Sequence, residues 1–329
     1  ALATLRERHD VDVAIGVAGD ALAERMADRE ALVFRSGVAI DEALLDRARS
    51  LRLIVRAGSG LDNLDLRSVE ARGITLQRIP GPGARAVAEM TFALFLALAR
   101  QVPVADRLLR EGHWAKSELV GWNLGGKTLG VVGLGSIGST VARLGLGWDM
   151  RVVGCVERSG PDRTAAFASQ GIELLPLHDV LAASDFVSVH VPLDTSTRGM
   201  IGAAELGLMR PGSFLVNIAR GGVVDEAALL AALQAGDRPA GAGLDVHVAE
   251  GEGKVSPLAG LPNVILTPHI GASTVDAQRE IGAEIVRIVD EAAVSPSVAT
   301  AAAGPAAEAR RRTVRPGSPT PFARGWRPT

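Results

Sequence analysis

Lys127-Thr-Leu-Gly-Val-Val-Gly-Leu-Gly-Ser-Ile-Gly138 is an apolar run that ends in G-x-G-x-x-G, at Gly133, Gly135 and Gly138. In a chain with 38 glycines the string alone says little, and its surroundings decide the reading. It closes a strand-like segment and opens a helical one, Ser139 to Leu146, which is the context a dinucleotide-binding turn requires. Gly133 permits a tight turn, Gly135 lets the backbone approach a pyrophosphate, and Gly138 lets helix and strand pack closely. Ser136 and Ile137 lie between them, where helix N-terminal N–H groups and the helix dipole favour an anion. The competing reading is an ordinary tight βα turn.

Outward from this turn the pattern is regular. Strands are predicted at 128–133, 151–156, 186–191, 213–218, 240–245 and 263–267, separated by helices or turns. Six strands with crossovers describe a Rossmann-type doubly wound parallel sheet. Upstream, helical pieces at 21–30 and 41–50 alternate with the apolar runs Ala31–Phe34 and Leu51–Val55, which suggests further βα units. Pro80-Gly-Pro-Gly83 reads as a hinge, followed by a long apolar helix at 84–100. A short helix is predicted near Ala203 to Met209 and an amphipathic one at 276–293. Beyond Ser295 the composition turns to Ala, Pro, Arg and Ser without apolar periodicity, so 295–329 is expected to be a disordered tail.

The chain has 329 residues, room for about two domains of ~150 residues each. Hydrophobic residues make up 47% and charged residues 22%, a globular composition. With 35 basic and 37 acidic residues there is no electrostatic footprint for nucleic acid or an anionic membrane surface, and neither is expected as a partner. The single cysteine, Cys155, excludes an intramolecular disulfide and a multi-cysteine metal site, and no metal is expected. The N-terminus lacks a signal-like apolar core, and Met90–Ala99 is ten residues long, too short to span ~30 Å of hydrocarbon. A cytoplasmic location is expected.

About 20 residues past the glycine-rich turn an acidic side chain should read the cofactor's ribose. Glu157 is in range and favours NAD by repelling a 2′-phosphate, whereas Arg158 or Arg163 would accept that phosphate and admit NADP. All three also suit a solvated turn.

Further motifs carry a resemblance. Arg56-Ala-Gly-Ser-Gly-Leu-Asp-Asn-Leu-Asp65, His190-Val-Pro-Leu193, Met209–Asp225 with Asn217-Ile-Ala-Arg-Gly221, Gly243-Leu-Asp-Val246 and Thr267-Pro-His-Ile-Gly-Ala-Ser-Thr274 together resemble the D-2-hydroxyacid dehydrogenases from about Ala31 to Val289. Within that family the chain is most similar to the members that oxidise 3-phospho-D-glycerate. The resemblance implies a cofactor domain, 81–269, inserted in a smaller flavodoxin-like α/β substrate domain formed by 1–80 and 270–294. It implies catalytic residues Arg220, Glu250 and His269. It places Gly133, Gly135, Ser136, Ile137, Gly138, Glu157, Arg158, His190, Val191, Pro192, Ala219, Arg220, Asp245, His269 and Gly271 around NAD, with NADP as an alternative. It also implies a homodimer through the cofactor domain, with the helix 84–100 suited to the interface. The family's ribose-binding aspartate falls on Val156, so Glu157 is expected to substitute for it; Gly251 stands where the family usually has proline, and Gly83 where it has asparagine.

The chemistry fits these residue types. Oxidising a 2-hydroxy acid needs a base that titrates near working pH, a histidine, with a carboxylate to orient it. It also needs an arginine, whose planar fork grips a carboxylate. For a substrate that is also phosphorylated, Arg35, Arg56 and Lys116 stand at family-like places, and backbone N–H groups around Ser59 and Gly60 are expected to hold the carboxylate. His9, His113, His178 and His247 are read as structural. The alternatives are a glyoxylate or hydroxypyruvate reductase using NAD(P)H, or a nucleotide-sensing corepressor on the same fold; Glu250 argues against a formate dehydrogenase, which would carry glutamine there.

Overall fold

In the computed structural model, residues 1–294 are described except Ser36, Ser59 and Asp237. The expected tail therefore lies outside the described residues, as does Ser59. Two parallel sheets organise the chain. The first contains β1 (Ala31–Phe34), β2 (Leu53–Arg56) and β3 (Thr75–Arg78) in that order. The second contains β4 (Thr128–Val132), β5 (Arg151–Cys155), β6 (Ile172–Leu174), β7 (Phe186–Val189), β8 (Phe214–Asn217), β9 (Gly241–Leu244) and β10 (Val264–Leu266). Their spatial order is β6-β5-β4-β7-β8-β9-β10, every neighbour parallel. The chain winds one way from β4 to β6 and the other way from β7 to β10. The switch point between β4 and β7, at the carboxyl ends of the strands, is where such sheets bind ligands.

All six anticipated strands of the large sheet are present, one or two residues shorter. A seventh, β6, was not anticipated. Ile172-Glu-Leu174 is too short for periodicity to register, and its pairing with β5 (Val152 opposite Ile172) makes it a strand. The same holds for β3, whose Thr-Leu-Gln-Arg sequence pairs residue for residue with β2.

The central strands β4, β7, β8 and β9 are buried throughout, because helices cover both faces of the sheet. On one face, Gly81–Ala99 and Ser136–Gly147 supply Val87, Phe92, Phe95, Val141 and Ala142 to a core with Leu129, Val131 and Phe186. The other face is covered by Leu177–Ala183, Ala203–Leu208 and Glu226–Ala235, through Val180, Leu181, Leu206 and Leu229.

Gly81–Ala99 is long and apolar enough to cross a membrane, yet Ala88, Phe95 and Ala99 are enclosed in this core. Pro80–Gly83, expected as a hinge, forms this helix's N-cap and opening turn. Proline is tolerated there because first-turn N–H groups have no helical acceptor. The final helix, Val275–Val294, returns to the first sheet, where Ile281 and Ile288 pack with Leu53, Val55 and Ile79.

Close packing leaves its mark on β4. A β-carbon on Gly130 would lie 2.3 Å from Ser184 Oγ and 2.9 Å from Val180 Cγ1. Ser184 cannot swing away without losing its 2.6 Å hydrogen bond to the Val180 carbonyl. Gly130→Ala should therefore cost about 1–3 kcal/mol of stability, read as a lower urea midpoint at unchanged slope.

Candidate active site

The glycine-rich turn joins β4 to the helix Ser136–Gly147, which starts three residues earlier than expected. Gly133 has φ +95°, and a β-carbon on it would lie 2.7 Å from the His190 carbonyl oxygen. A β-carbon on Gly138 would lie 1.9 Å from the Gly133 carbonyl oxygen. Gly135 is the opposite case, with nothing within 4 Å of that position. Ser139 donates to the Gly135 carbonyl (2.9 Å), and the N–H groups opening the helix have no helical acceptor. An open cradle at Gly135 beneath unpaired N–H donors fits a pyrophosphate.

Past β5, Glu157 and Arg158 are exposed and 3.8 Å apart. Arg163 is already engaged, donating to the Arg158 carbonyl (3.1 Å) with its guanidinium 5.8 Å from the Phe167 ring centroid. His190 follows β7, beside the cradle. Its Nε2 is hydrogen-bonded to Ser188 Oγ, its Nδ1 is buried, and burial pushes its pKa down to about 3, so the ring is neutral. Val191 and Pro192 continue along the same edge, Thr197 Oγ1 donating to the Pro192 carbonyl (2.6 Å).

The three candidate catalytic residues sit at or beyond the carboxyl ends of β8, β9 and β10. Asn217 ends β8; its Oδ1 accepts from the Ala219 N–H (3.1 Å) and its Nδ2 donates to the Arg220 carbonyl (3.0 Å). That local turn aims Arg220 back across the strand end. Arg220 Nη1 donates to the Ala219 carbonyl (2.7 Å) and Nε to Asp62 Oδ1 (2.9 Å), which lies in the loop after β2. Burial raises the Asp62 pKa, but the charge and hydrogen bond of Arg220 outweigh it and hold the carboxyl below its ordinary value. A β-carbon on Gly60 would overlap the Arg220 guanidinium and crowd Asp62 Oδ1, so a larger residue there would have to displace the Arg220–Asp62 pair.

Asp245, 1% exposed, follows β9. Its Oδ1 accepts from Thr267 Oγ1 (2.6 Å) and the Ile270 N–H (2.9 Å), and its Oδ2 from the Gly271 N–H (2.7 Å). These bonds shape the turn that carries His269, which has φ +54°. His269 Nδ1 lies 3.0 Å from Glu250 Oε2, while Glu250 Oε1 accepts from the His247 N–H (3.1 Å). Burial raises the Glu250 pKa, but the His269 contact and the His247 N–H outweigh it and hold the carboxylate below its ordinary value. The arrangement can take or give a proton at His269 Nε2, the ring nitrogen turned away from Glu250.

Of the expected cations, Arg56 is 6% exposed, donates through Nε to the Gly60 carbonyl (2.9 Å), and lies 5.2 Å from the Phe34 ring centroid. Burial, then the charge of Arg220, lowers its pKa to about 10; the charge of Arg35 adds to this, so the three guanidinium groups share one electrostatic neighbourhood. Arg35 is exposed just past β1, and Lys116 is exposed in a turn at 116–118. Asp62 and Glu226 were not singled out from sequence, and His247 was read as structural. Asp62 lay inside the motif from Arg56 to Asp65, but no spacing rule pairs it with a residue 158 positions away.

Comparison with known proteins supplies the context. The sequence profile of the D-isomer-specific 2-hydroxyacid dehydrogenase NAD-binding domain matches residues 92–271. The D-3-phosphoglycerate dehydrogenase of Archaeoglobus fulgidus is 40% identical over 273 residues, 83% of this chain and 51% of that protein. The chain thus spans about half the length of the curated relatives it matches. A D-lactate dehydrogenase from Aquifex aeolicus, complexed with NAD and lactic acid, superposes with a TM-score of 0.75 at 33% identity, covering 83% of this chain and 85% of that one. An acyclic imino acid reductase in complex with NADPH and D-Arg gives 0.79 at 25% identity, covering 89% and 92%.

The Asp62–Arg220 pair has a pH signature. Its contribution to stability is complete above the ordinary aspartate pKa of 3.8 and is lost as pH falls through the lower folded value. Urea titrations should find Asp62→Asn less stable than wild type at pH 7, with the gap closing as pH falls below the ordinary aspartate value and through the lower folded one.

Proposed function

We propose that the chain, which belongs to the D-isomer-specific 2-hydroxyacid dehydrogenase family, oxidises a phosphorylated 2-hydroxy acid, 3-phospho-D-glycerate, with NAD. The observation that carries this reading is the 3.0 Å contact between His269 Nδ1 and Glu250 Oε2 at the carboxyl ends of strands that also present Arg220. The bound nicotinamide supplies the hydride acceptor, and reverses that role in reduction.

This chain's residues do the rest. Arg220 binds the substrate carboxylate through the part of its fork that Asp62 leaves free, with Asp62 fixing the plane of the guanidinium. Backbone N–H groups near Gly60 add to that grip. His269 Nε2 accepts the C2 hydroxyl proton as the hydride leaves C2, and Glu250 stabilises the imidazolium that results. In reduction the same proton returns from Nε2 to the new alkoxide. Arg35 and Arg56 offer the phosphate two guanidinium groups, and the desolvation of Arg56 strengthens whatever anion it meets. Lys116 adds a point charge. Glu157 selects NAD by repelling a 2′-phosphate, and the adjoining Arg158 keeps that selection modest.

A second copy of the chain is assigned to the exposed apolar residues Val102, Leu109, Val120 and Trp122. The helix expected at 84–100 cannot serve alone, since much of it is enclosed in the core. Leu109→Glu with Trp122→Glu should convert a dimer to a monomer by analytical ultracentrifugation; an unchanged mass would move the interface elsewhere.

Steady-state assays with 3-phosphohydroxypyruvate, hydroxypyruvate and both reduced cofactors test the catalytic reading. His269→Gln should lower kcat by ~10²- to 10⁴-fold with cofactor binding kept. Arg35→Ala should lower kcat/KM for the phosphorylated acid by ~10- to 150-fold, the loss of one charge-assisted contact, and affect hydroxypyruvate much less. Equal losses on both acids would favour a reductase of unphosphorylated acids.

A further inference from the structure

Arg220, Glu250 and His269 come from three separate loops, and one residue touches the backbone or side chain that carries each. His247 donates its main-chain N–H to Glu250 Oε1 at 3.1 Å. Its ring Nε2 lies 3.0 Å from the Thr267 carbonyl oxygen. A carbonyl only accepts, so Nε2 carries the hydrogen. The same carbonyl accepts the main-chain N–H of His269 at 3.0 Å. On its other side, the His247 carbonyl is packed so tightly against Gly221 that a β-carbon there would lie 1.9 Å away, and Gly221 follows Arg220 directly.

We propose that His247 is a positioning residue, whose ring N–H holds the His269 turn at hydrogen-bonding distance from Glu250. The inference rests on the reading of His269 as the base. His269 has φ +54°, a left-handed conformation that is unfavourable for a residue with a β-carbon and persists only where surrounding bonds impose it. Asp245 imposes it from below, through Thr267 Oγ1, Ile270 and Gly271. His247 is the side chain that holds the Thr267 carbonyl from the Glu250 side. The loop bearing His247 is itself anchored, because the buried Glu226 carboxylate accepts from the Val248 N–H at 2.7 Å.

The ring chemistry argues for a polar role. His247 Nδ1 is buried with no partner among the described residues. Leaving a buried polar atom unpaired is unfavourable, so an apolar side chain would fill this space better if packing were the only requirement. The Nε2–H bond to Thr267 is what an apolar side chain cannot supply.

The test compares His247→Gln with His247→Met, two unbranched side chains of similar length of which only glutamine can donate to the Thr267 carbonyl. His269→Gln serves as the reference, and turnover is measured with NADH on hydroxypyruvate and 3-phosphohydroxypyruvate. His247→Met should lose about 10- to 100-fold in kcat with KM for NADH within about twofold, the effect of a misplaced catalytic group, and His247→Gln should recover most of it. Equal kcat in the two variants, whether near wild type or reduced together with a lowered Tm, overturns the proposal and leaves His247 a packing residue. If His269→Gln loses turnover while His247→Met does not, only this proposal fails. If His269→Gln keeps wild-type kcat, the base assignment fails with it.

Discussion

The carboxylate of Asp245 is enclosed at the end of β9, and both of its oxygens are held by the segment Thr267–Gly271. A bare carboxylate in that position would be strongly unfavourable, and three hydrogen bonds from one turn are what make it tolerable. The dependence runs both ways. The turn takes its shape from the carboxylate, and hydrogen bonds to a charged group are worth about 1.5–3 kcal/mol each, enough to hold His269 at its positive φ. Gly271 is part of the same constraint, because a β-carbon on it would sit 2.9 Å from Asp245 Oδ2.

From this anchor the site assembles by short links. Thr267 donates its N–H to the Leu244 carbonyl (2.9 Å), so the turn is registered against β9. Asp245 in turn donates its N–H to the Asn217 carbonyl (3.0 Å), and Asn217 makes the turn that aims Arg220. Strand ends in neighbouring register therefore set where the arginine and the histidine stand. The large sheet is rigid because its central strands are buried on both faces, and a site built on such strand ends inherits that rigidity.

The link between the two sheets is of another kind. Arg220 reaches from the end of β8 to Asp62 in the loop after β2, and its guanidinium overlies Gly60. Side chains there are partly exposed, 22% for Arg220 and 37% for Asp62, so the pair is screened and reversible compared with the buried Asp245 network. One side of the site is thus set by buried hydrogen bonds and the other by a solvent-accessible ion pair.

Much of this was legible in the chain before any coordinates. The glycine-rich turn, the apolar strands expected at 128–133 and 186–191 and the spacing of the crossovers depend on local rules: a missing β-carbon, a buried parallel strand, a helix N-terminus. The motifs around Arg220, Glu250 and His269 pointed to the residues that the fold gathers at the strand ends. Tertiary structure alone decided the rest. Ile172–Leu174 and Thr75–Arg78 are strands because a neighbour offers them a ladder, which a three- or four-residue sequence cannot announce. Asp62 and His247 gained their partners through contacts 158 and 20 residues away in sequence. Sequence periodicity reports which face of an element is buried; it carries no information about which loop the fold will bring against it, and that pairing is what makes Asp62 and His247 part of the site.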